Sequence, residues 1–202
     1  MAASTPKAEL WARIDETPDI PAISRFLDDA SAADRLSAVR SLGRTRQRRL
    51  YEAADGFLPV RLAEIVPPEV AAFTPVRHFG RNTLPAFTHF EKRFCRPRDA
   101  DSTAPESLYG FNFQTLAAVT GPGYFIAREA PDRPEVWVDY TSVPDEHPDA
   151  WPEIRPNDVG LSRFVYGFMV DTLRRVSQHV TIGSAARNGR DLGSWFVLCQ
   201  EA

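Results

Sequence analysis

Residues 178–200 read QHVTIGSAARNGRDLGSWFVLCQ. Asn188-Gly189 stands there between two runs in which apolar and polar residues alternate. That dipeptide is a strong hairpin signal, because a type I′ turn needs positive φ at both central positions. The expectation is an antiparallel pair, 178–187 with 192–200. Toward the N-terminus the same period-two pattern recurs at 74–80, 86–96, 107–119, 123–128, 135–140 and 162–174. These runs are rich in Phe, Tyr, Val and Thr and are separated by Gly, Pro and Asn. Gly80 to Pro85 suits a short hairpin, and Gly121-Pro122-Gly123 suits a second reversal. No connection holds a crossover helix long enough for a parallel pair. Eight sequential antiparallel strands close into an up-and-down barrel or form two packed sheets. Run 162–174 is the ambiguous one, since Phe164, Val165, Phe168, Met169 and Leu173 suit a helix equally well.

Before Phe73 the period is helical. Thr5-Pro6 is a cap followed by proline in the first turn, and Leu10, Trp11 and Ile14 recur at helical spacing. Pro21 opens a second helix with Ile23, Phe26 and Leu27. Ser31 to Asp34 resembles a capping box ahead of Leu36, Val39, Leu42, Leu50 and Ala53, with a break at Gly43 and a stop at Gly56. One more turn is expected within Val60 to Val66. The predicted class is therefore α+β: a helical region, 1–72, packed on an antiparallel, roughly eight-stranded β-barrel or strongly curved sheet, 73–202.

Composition is that of an ordinary globular chain: 202 residues, 43% hydrophobic, 25% charged, formal net charge −3. Near-neutrality gives no general attraction to nucleic acid or anionic lipid. No apolar run reaches the roughly 18 residues of a membrane helix. Met1 to Pro6 show neither the basic stretch nor the apolar core of a secretion signal, so a cytoplasmic chain is expected. Lys7 and Lys92 are the only lysines among 24 basic residues. This arginine bias is read as the coding habit of a GC-rich, bacterial-type genome. Cys95 and Cys199 lie far apart in apolar runs and read by default as unpaired, small buried hydrophobes, with a Cys95–Cys199 bridge left open if their strands are neighbours. Residues 129–158 hold nine acidic groups, two basic groups and six prolines, and read as a long acidic loop, a candidate lid over one end of the sheet.

Alternation sorts the side chains into faces. Tyr109, Phe111, Phe113 and Thr115 share one face of their strand. Val136, Val138 and Tyr140 share another, as do Phe164, Tyr166, Phe168 and Val170, and Val180 with Ile182. Pointed inward, these would line an aromatic interior with three tyrosine hydroxyls, the make-up of a small-ligand pocket. Arg174, Arg175, His179 and Arg187 would cluster at one end and receive a carboxylate or phosphate. A polar alternative is the face of Phe87, His89, Glu91, Arg93 and Cys95. If 78 pairs with 87, His78 joins His89 and Glu91 as a candidate metal site, although a one-residue slip removes it. The same residues also suit a solvated outer face.

Three functions follow. The leading one is binding of a small, mostly apolar ligand through Tyr109, Phe111, Phe113, Tyr140, Tyr166 and Phe168, with Arg174 and His179 at the mouth. The second is an enzyme on the same barrel, either metal-dependent through His78, His89 and Glu91 or an isomerase or cyclase using Tyr or Asp for acid–base work. The third is an adaptor using Arg40, Arg44, Arg46, Arg48 and Arg49 with the acidic loop. A protein partner or homo-oligomer stays open, nucleic acid is disfavoured, and no sequence motif names a cofactor. Gly-x-Ser-x-Gly, a dinucleotide loop and a Walker lysine are all missing from the sequence.

Overall fold

The computed structural model describes residues 5–114, 121–160 and 162–201. Eight antiparallel strands form a closed up-and-down barrel, each paired with its sequence neighbours and the last with the first. They are β1 (Val76–Asn82), β2 (His89–Cys95), β3 (Leu108–Phe113), β4 (Tyr124–Glu129), β5 (Val136–Asp139), β6 (Met169–Arg175), β7 (Val180–Arg187) and β8 (Arg190–Gln200). Helices α1 (Pro6–Asp15), α2 (Ile20–Asp29), α3 (Ala32–Val39), α4 (Arg44–Ala53) and α5 (Leu62–Ile65) precede the barrel, and α6 (Ser162–Val165) lies between β5 and β6. Among the described residues no helix is long and apolar enough to cross a membrane.

The local signals operate as their chemistry dictates. Thr5, Asp19 and Ser31 each accept a backbone N–H at the start of α1, α2 and α3. Asn188 and Gly189 both take positive φ, 50° and 72°, closing the two-residue β7–β8 turn. Two expectations shift. The first hairpin runs further than Gly80, because β1 continues to Asn82 and pairs Arg81 with His89. Run 162–174 divides: α6 ends where Gly167 packs on the Arg163 carbonyl, Phe168 turns the chain at φ 61°, and β6 starts only at Met169. The part of run 107–119 beyond Gln114, with Thr115, lies outside the described residues.

The interior is aromatic, and glycines make room for it. Gly80 pairs with Phe90, Gly110 with Phe125, and Gly183 with Phe196 across adjacent strands. A Cβ on any of the three would lie 2.3 to 2.5 Å from its partner's ring, so each ring lies over a bare backbone. At one end Val60, Leu62, Ile65 and Val66 on and around α5 plug the barrel against Phe94, Leu108, Val136 and Leu198. At that end His78 contacts the Ile65 carbonyl at 3.0 Å, and Arg96 donates to the Val66 and Pro67 carbonyls at 3.2 and 2.8 Å.

Helices α1–α4 bury Leu10, Ile14, Ile23, Leu27, Val39 and Leu50 against the outer face of β7 and β8, where Val180, Ile182, Val197 and Cys199 point. The arginines find a structural use at these helix ends. The last carbonyls of a helix have no partner within it, and here arginines reach them: Arg49 at α1, Arg35 at α2, Arg81 at α3, Arg174 at α4, Arg96 at α5 and Arg187 at α6. On α4, Arg44 donates to the Gly193 carbonyl and Arg46 holds Asp15 with two bonds of 3.0 and 2.5 Å. Arg44, Arg46 and Arg49 thus dock on α1 and the β7–β8 end of the barrel, while Arg48 stays exposed beside Glu52 of its own helix. The acidic loop lies elsewhere, as a strap along the outside of β3 and β4. There Trp151 covers Phe111 and Tyr124, Asp145 accepts from Tyr109, and Asn157 donates to the Tyr124 and Tyr140 carbonyls. Cys95 and Cys199 are free and buried.

Gly183→Ala should destabilise the fold by about 1–3 kcal/mol through overpacking. The nearest atoms to the new methyl group all belong to the Phe196 ring, so Phe196→Leu in the same chain should restore part of the loss. Gly110→Ala with Phe125→Leu should show no such recovery, because the Arg93 carbonyl oxygen also lies 2.7 Å from the added carbon. Urea unfolding of the two series distinguishes them.

Candidate functional site

The barrel is filled at the α5 end and hollow at the other. A cavity of about 340 Å³ opens there, at the lower end of the size range of small-molecule sites. Its walls include Phe90, Tyr140, Tyr166, Met169, Trp195 and Phe196, and exposed Leu84, Phe164 and Leu192 stand at its mouth. Tyr140 and Tyr166 stack, with centroids 5.4 Å apart and planes 17° from parallel. Arg187 lines the wall and is held by the carbonyls of Phe164 and Val165 at 2.9 and 3.2 Å.

The floor is polar. Lys92 on β2, Asn112 on β3, Tyr140 just after β5 and Asp171 on β6 all point inward and are buried. The Lys92 amine donates to Asn112 Oδ1 at 3.0 Å, to the Tyr140 hydroxyl, and to Asp171 Oδ2 at 3.4 Å. Tyr140 also donates to Asp171 Oδ2 at 3.3 Å, and Asn112 Nδ2 donates to the Tyr140 oxygen at 3.0 Å. Four rings surround the amine, those of Phe90, Phe125, Tyr140 and Phe196, with centroids 4.9 to 5.9 Å from Nζ. Among the described residues Asp171 Oδ1 is the one buried carboxylate oxygen without a hydrogen-bond partner.

Burial acts on both charges. It pulls the Lys92 amine below its usual range, with Asp171 opposing. It pushes the Asp171 carboxyl up, with Lys92 and Tyr140 opposing. Burial and the nearby carboxylate hold the Tyr140 phenol well above its usual range. Desolvation thus brings the proton affinities of the amine and the carboxylate closer together than they are in water. Such a set can accept and return protons and can present a nitrogen lone pair to a bound molecule.

The residues singled out by sequence are dispersed. Tyr140 and Tyr166 line the cavity. Tyr109, Phe111 and Phe113 occupy the outer face of β3, because Leu108, Gly110 and Asn112 alternate inward; the strap packs on Tyr109 and Phe111 and leaves Phe113 exposed. Phe168 is exposed just before the start of β6. Val170 alternates with inward-facing Asp171, and Val180 and Ile182 lie under the helices. Arg174 points outward and pairs with Glu135 at 2.8 Å and Asp55 at 2.9 Å, joining α4 to the barrel. His179 sits in the β6–β7 turn at the plugged end, far along the barrel from Arg187. The three metal candidates separate by face: the register sets His78 opposite Lys92, pointing inward, and leaves His89 and Glu91 outside. Among the described residues no three His, Cys, Asp or Glu side chains form a metal-sized group.

Lys92, Asn112, Asp171, Phe90 and Phe196 were missed. The signal that marks them is a polar residue at period two on an apolar face: Phe90-Lys92-Phe94 and Met169-Asp171-Leu173.

Lys92→Met should cost about 3–5 kcal/mol, because Asp171 would be left buried without its cation. Lys92→Met with Asp171→Leu should recover most of that, as read by a double-mutant cycle in urea. His78 gives a pH signature independent of the cavity. Burial lowers it from 6.5 to about 4, so the unfolded chain takes up a proton that the folded chain refuses. Stability should therefore fall as pH drops from 6.5 toward 4, by on the order of 3 kcal/mol. His78→Gln should flatten that part of the stability–pH curve.

No protein-family model matches the chain and no curated protein is similar to it, so a function for this cavity has to be argued from its own chemistry.

Proposed function

We propose that the protein binds a small, mostly apolar molecule in the open half of its barrel. The ligand body would lie among Phe90, Tyr166, Met169 and Phe196, and its polar end would meet Asp171 and Lys92 on the floor. One observation carries this reading: an apolar cavity whose floor holds a buried carboxylate oxygen with no partner. An unpaired buried acceptor costs about 1–3 kcal/mol and more when charged, and a ligand N–H or O–H would remove that cost. Leu84, Phe164 and Leu192, exposed around the mouth, suit the passage of an apolar guest.

A second reading has its own support. Lys92, Tyr140 and Asp171 are three coupled proton donors and acceptors inside a ligand-sized cavity, an arrangement common in acid–base enzymes. An isomerase or cyclase acting on an apolar substrate would use them without a metal ligand set. The metal-dependent version draws no support from the geometry, since His78 is separated from His89 and Glu91. The adaptor version is weakened by the engagement of Arg44, Arg46 and Arg49 within the chain.

Native mass spectrometry and thermal melting against a panel of lipids and apolar metabolites test the binding reading. A true ligand at a hundredfold excess over its Kd should stabilise the fold by about 2.7 kcal/mol. Ser194→Phe, which fills the cavity from β8, should abolish the shift while the protein stays folded. Shifts that survive Ser194→Phe would move binding elsewhere, and a panel with no shift at all would overturn the reading.

A further inference from the structure

We infer that Lys92 is a nucleophilic amine, and that the molecule held in the cavity is an apolar aldehyde or ketone captured at Nζ as a reversible imine. The inference rests on the cavity being the binding site proposed above and names the chemical class of its ligand.

The choice of lysine is the first support. The chain places arginine at 22 of its 24 basic positions. A guanidinium stays protonated in proteins, whereas a lysine amine can lose its proton. The other lysine, Lys7, lies on α1 against the Trp11 ring. The one lysine of the barrel thus stands at the floor of its cavity, where an amine differs in kind from a guanidinium.

The surroundings are the second. Asp171 Oδ2, 3.4 Å from Nζ, can take the ammonium proton, and Tyr140 bonds to both groups. Among the four rings Lys92 is only 1% exposed, which restricts the approach of water that would hydrolyse an imine, and the ring faces favour the cationic form of the product. A buried lysine in an apolar pocket is a recognised route to Schiff-base chemistry.

The step balances without an outside oxidant or reductant. The Nζ lone pair attacks the carbonyl carbon, a C–N bond forms, and the carbonyl π pair moves to oxygen, which takes the Asp171 proton. Asp171 then removes one proton from the nitrogen, giving the neutral carbinolamine. It returns that proton to the hydroxyl, the C–O bond breaks, and water leaves as the nitrogen lone pair closes the C=N bond. The product is a protonated imine facing the Asp171 carboxylate: one carbonyl and one amine have become one imine and one water.

Cinnamaldehyde with cyanoborohydride tests this, with cinnamyl alcohol as the non-electrophilic match and peptide mapping to locate the reduced adduct. Lys92 should be labelled at least ten times faster than Lys7, the internal reference. Lys92→Arg should lose the barrel adduct. Should that variant fold poorly, Ser194→Phe should slow Lys92 labelling tenfold or more and leave Lys7 unchanged. A shift in melting temperature with cinnamyl alcohol, lost in Ser194→Phe, reads binding separately from bond formation. If the alcohol shifts the melting temperature and Lys92 is not labelled, the imine inference falls and the cavity reading stands. If neither compound shifts it and Lys92 reacts no faster than Lys7, both fall.

Discussion

A protonated amine among phenylalanine rings must find an acceptor for each N–H, and that requirement binds four strands of this barrel together. Lys92 comes from β2, and its acceptors come from β3, from the residue following β5, and from β6. The pairing of Lys92 with Asn112 and of Val138 with Asp171 is therefore more than backbone register. A slip of one residue would turn Asn112 or Asp171 outward and bring an apolar neighbour in, leaving the ammonium without a partner. An apolar set of similar volume would be as stable or more so. What the polar set adds is a single permitted alignment and a floor of titratable groups.

The hollow above that floor follows from how the rest of the interior is filled. An eight-stranded barrel is just wide enough for side chains to close it. Here three glycines let Phe90, Phe125 and Phe196 lie over bare backbone. Large rings meeting small residues across a strand pair hold the rings close to the wall. Toward α5, aliphatic side chains from Val60 to Val66 complete the filling. At the other end, among the described residues, α6 lines the mouth without filling the space between the strands, and the void is left with the floor polar and the wall apolar.

The sequence carries the strand count, the antiparallel order, the Asn188-Gly189 turn and most helix caps, because each of these rests on local chemistry. It does not carry which face of a strand is inside. Tyr109, Phe111 and Phe113 are as apolar as any inward set; the strap packed on Tyr109 and Phe111 explains how those two can be outside, while Phe113 stays 48% exposed beneath the Arg93 guanidinium. Conversely, Asn112 and Asp171 have the polarity of outward residues, and their inward position becomes intelligible only when Lys92 is seen between them. Alternation gives two faces and leaves the choice to long-range contacts. Run 162–174 was undecided for a different reason, since the reversal at Gly167 and Phe168 depends on a left-handed backbone at a residue whose type does not announce it.

The chain also shows what it does with a buried carboxylate whose task is structural. Glu135 is as buried as Asp171, and both of its oxygens are taken: one by Arg174 at 2.8 Å, the other by Arg133 at 3.3 Å. The partners are arginines, and Arg174 goes on to bond the Tyr51 carbonyl of α4. The pair thus joins two parts of the fold with its acceptors satisfied. Asp171 departs from that pattern at every point. Its cation is a lysine, the separation is 3.4 Å, one oxygen has no partner, and both residues line a cavity. Within one protein, the same evolutionary supply of arginines was available for both sites. The use of a cation that can give up its proton, next to an acceptor left open, is the difference that a reacting or ligand-holding site requires and a structural pair does not.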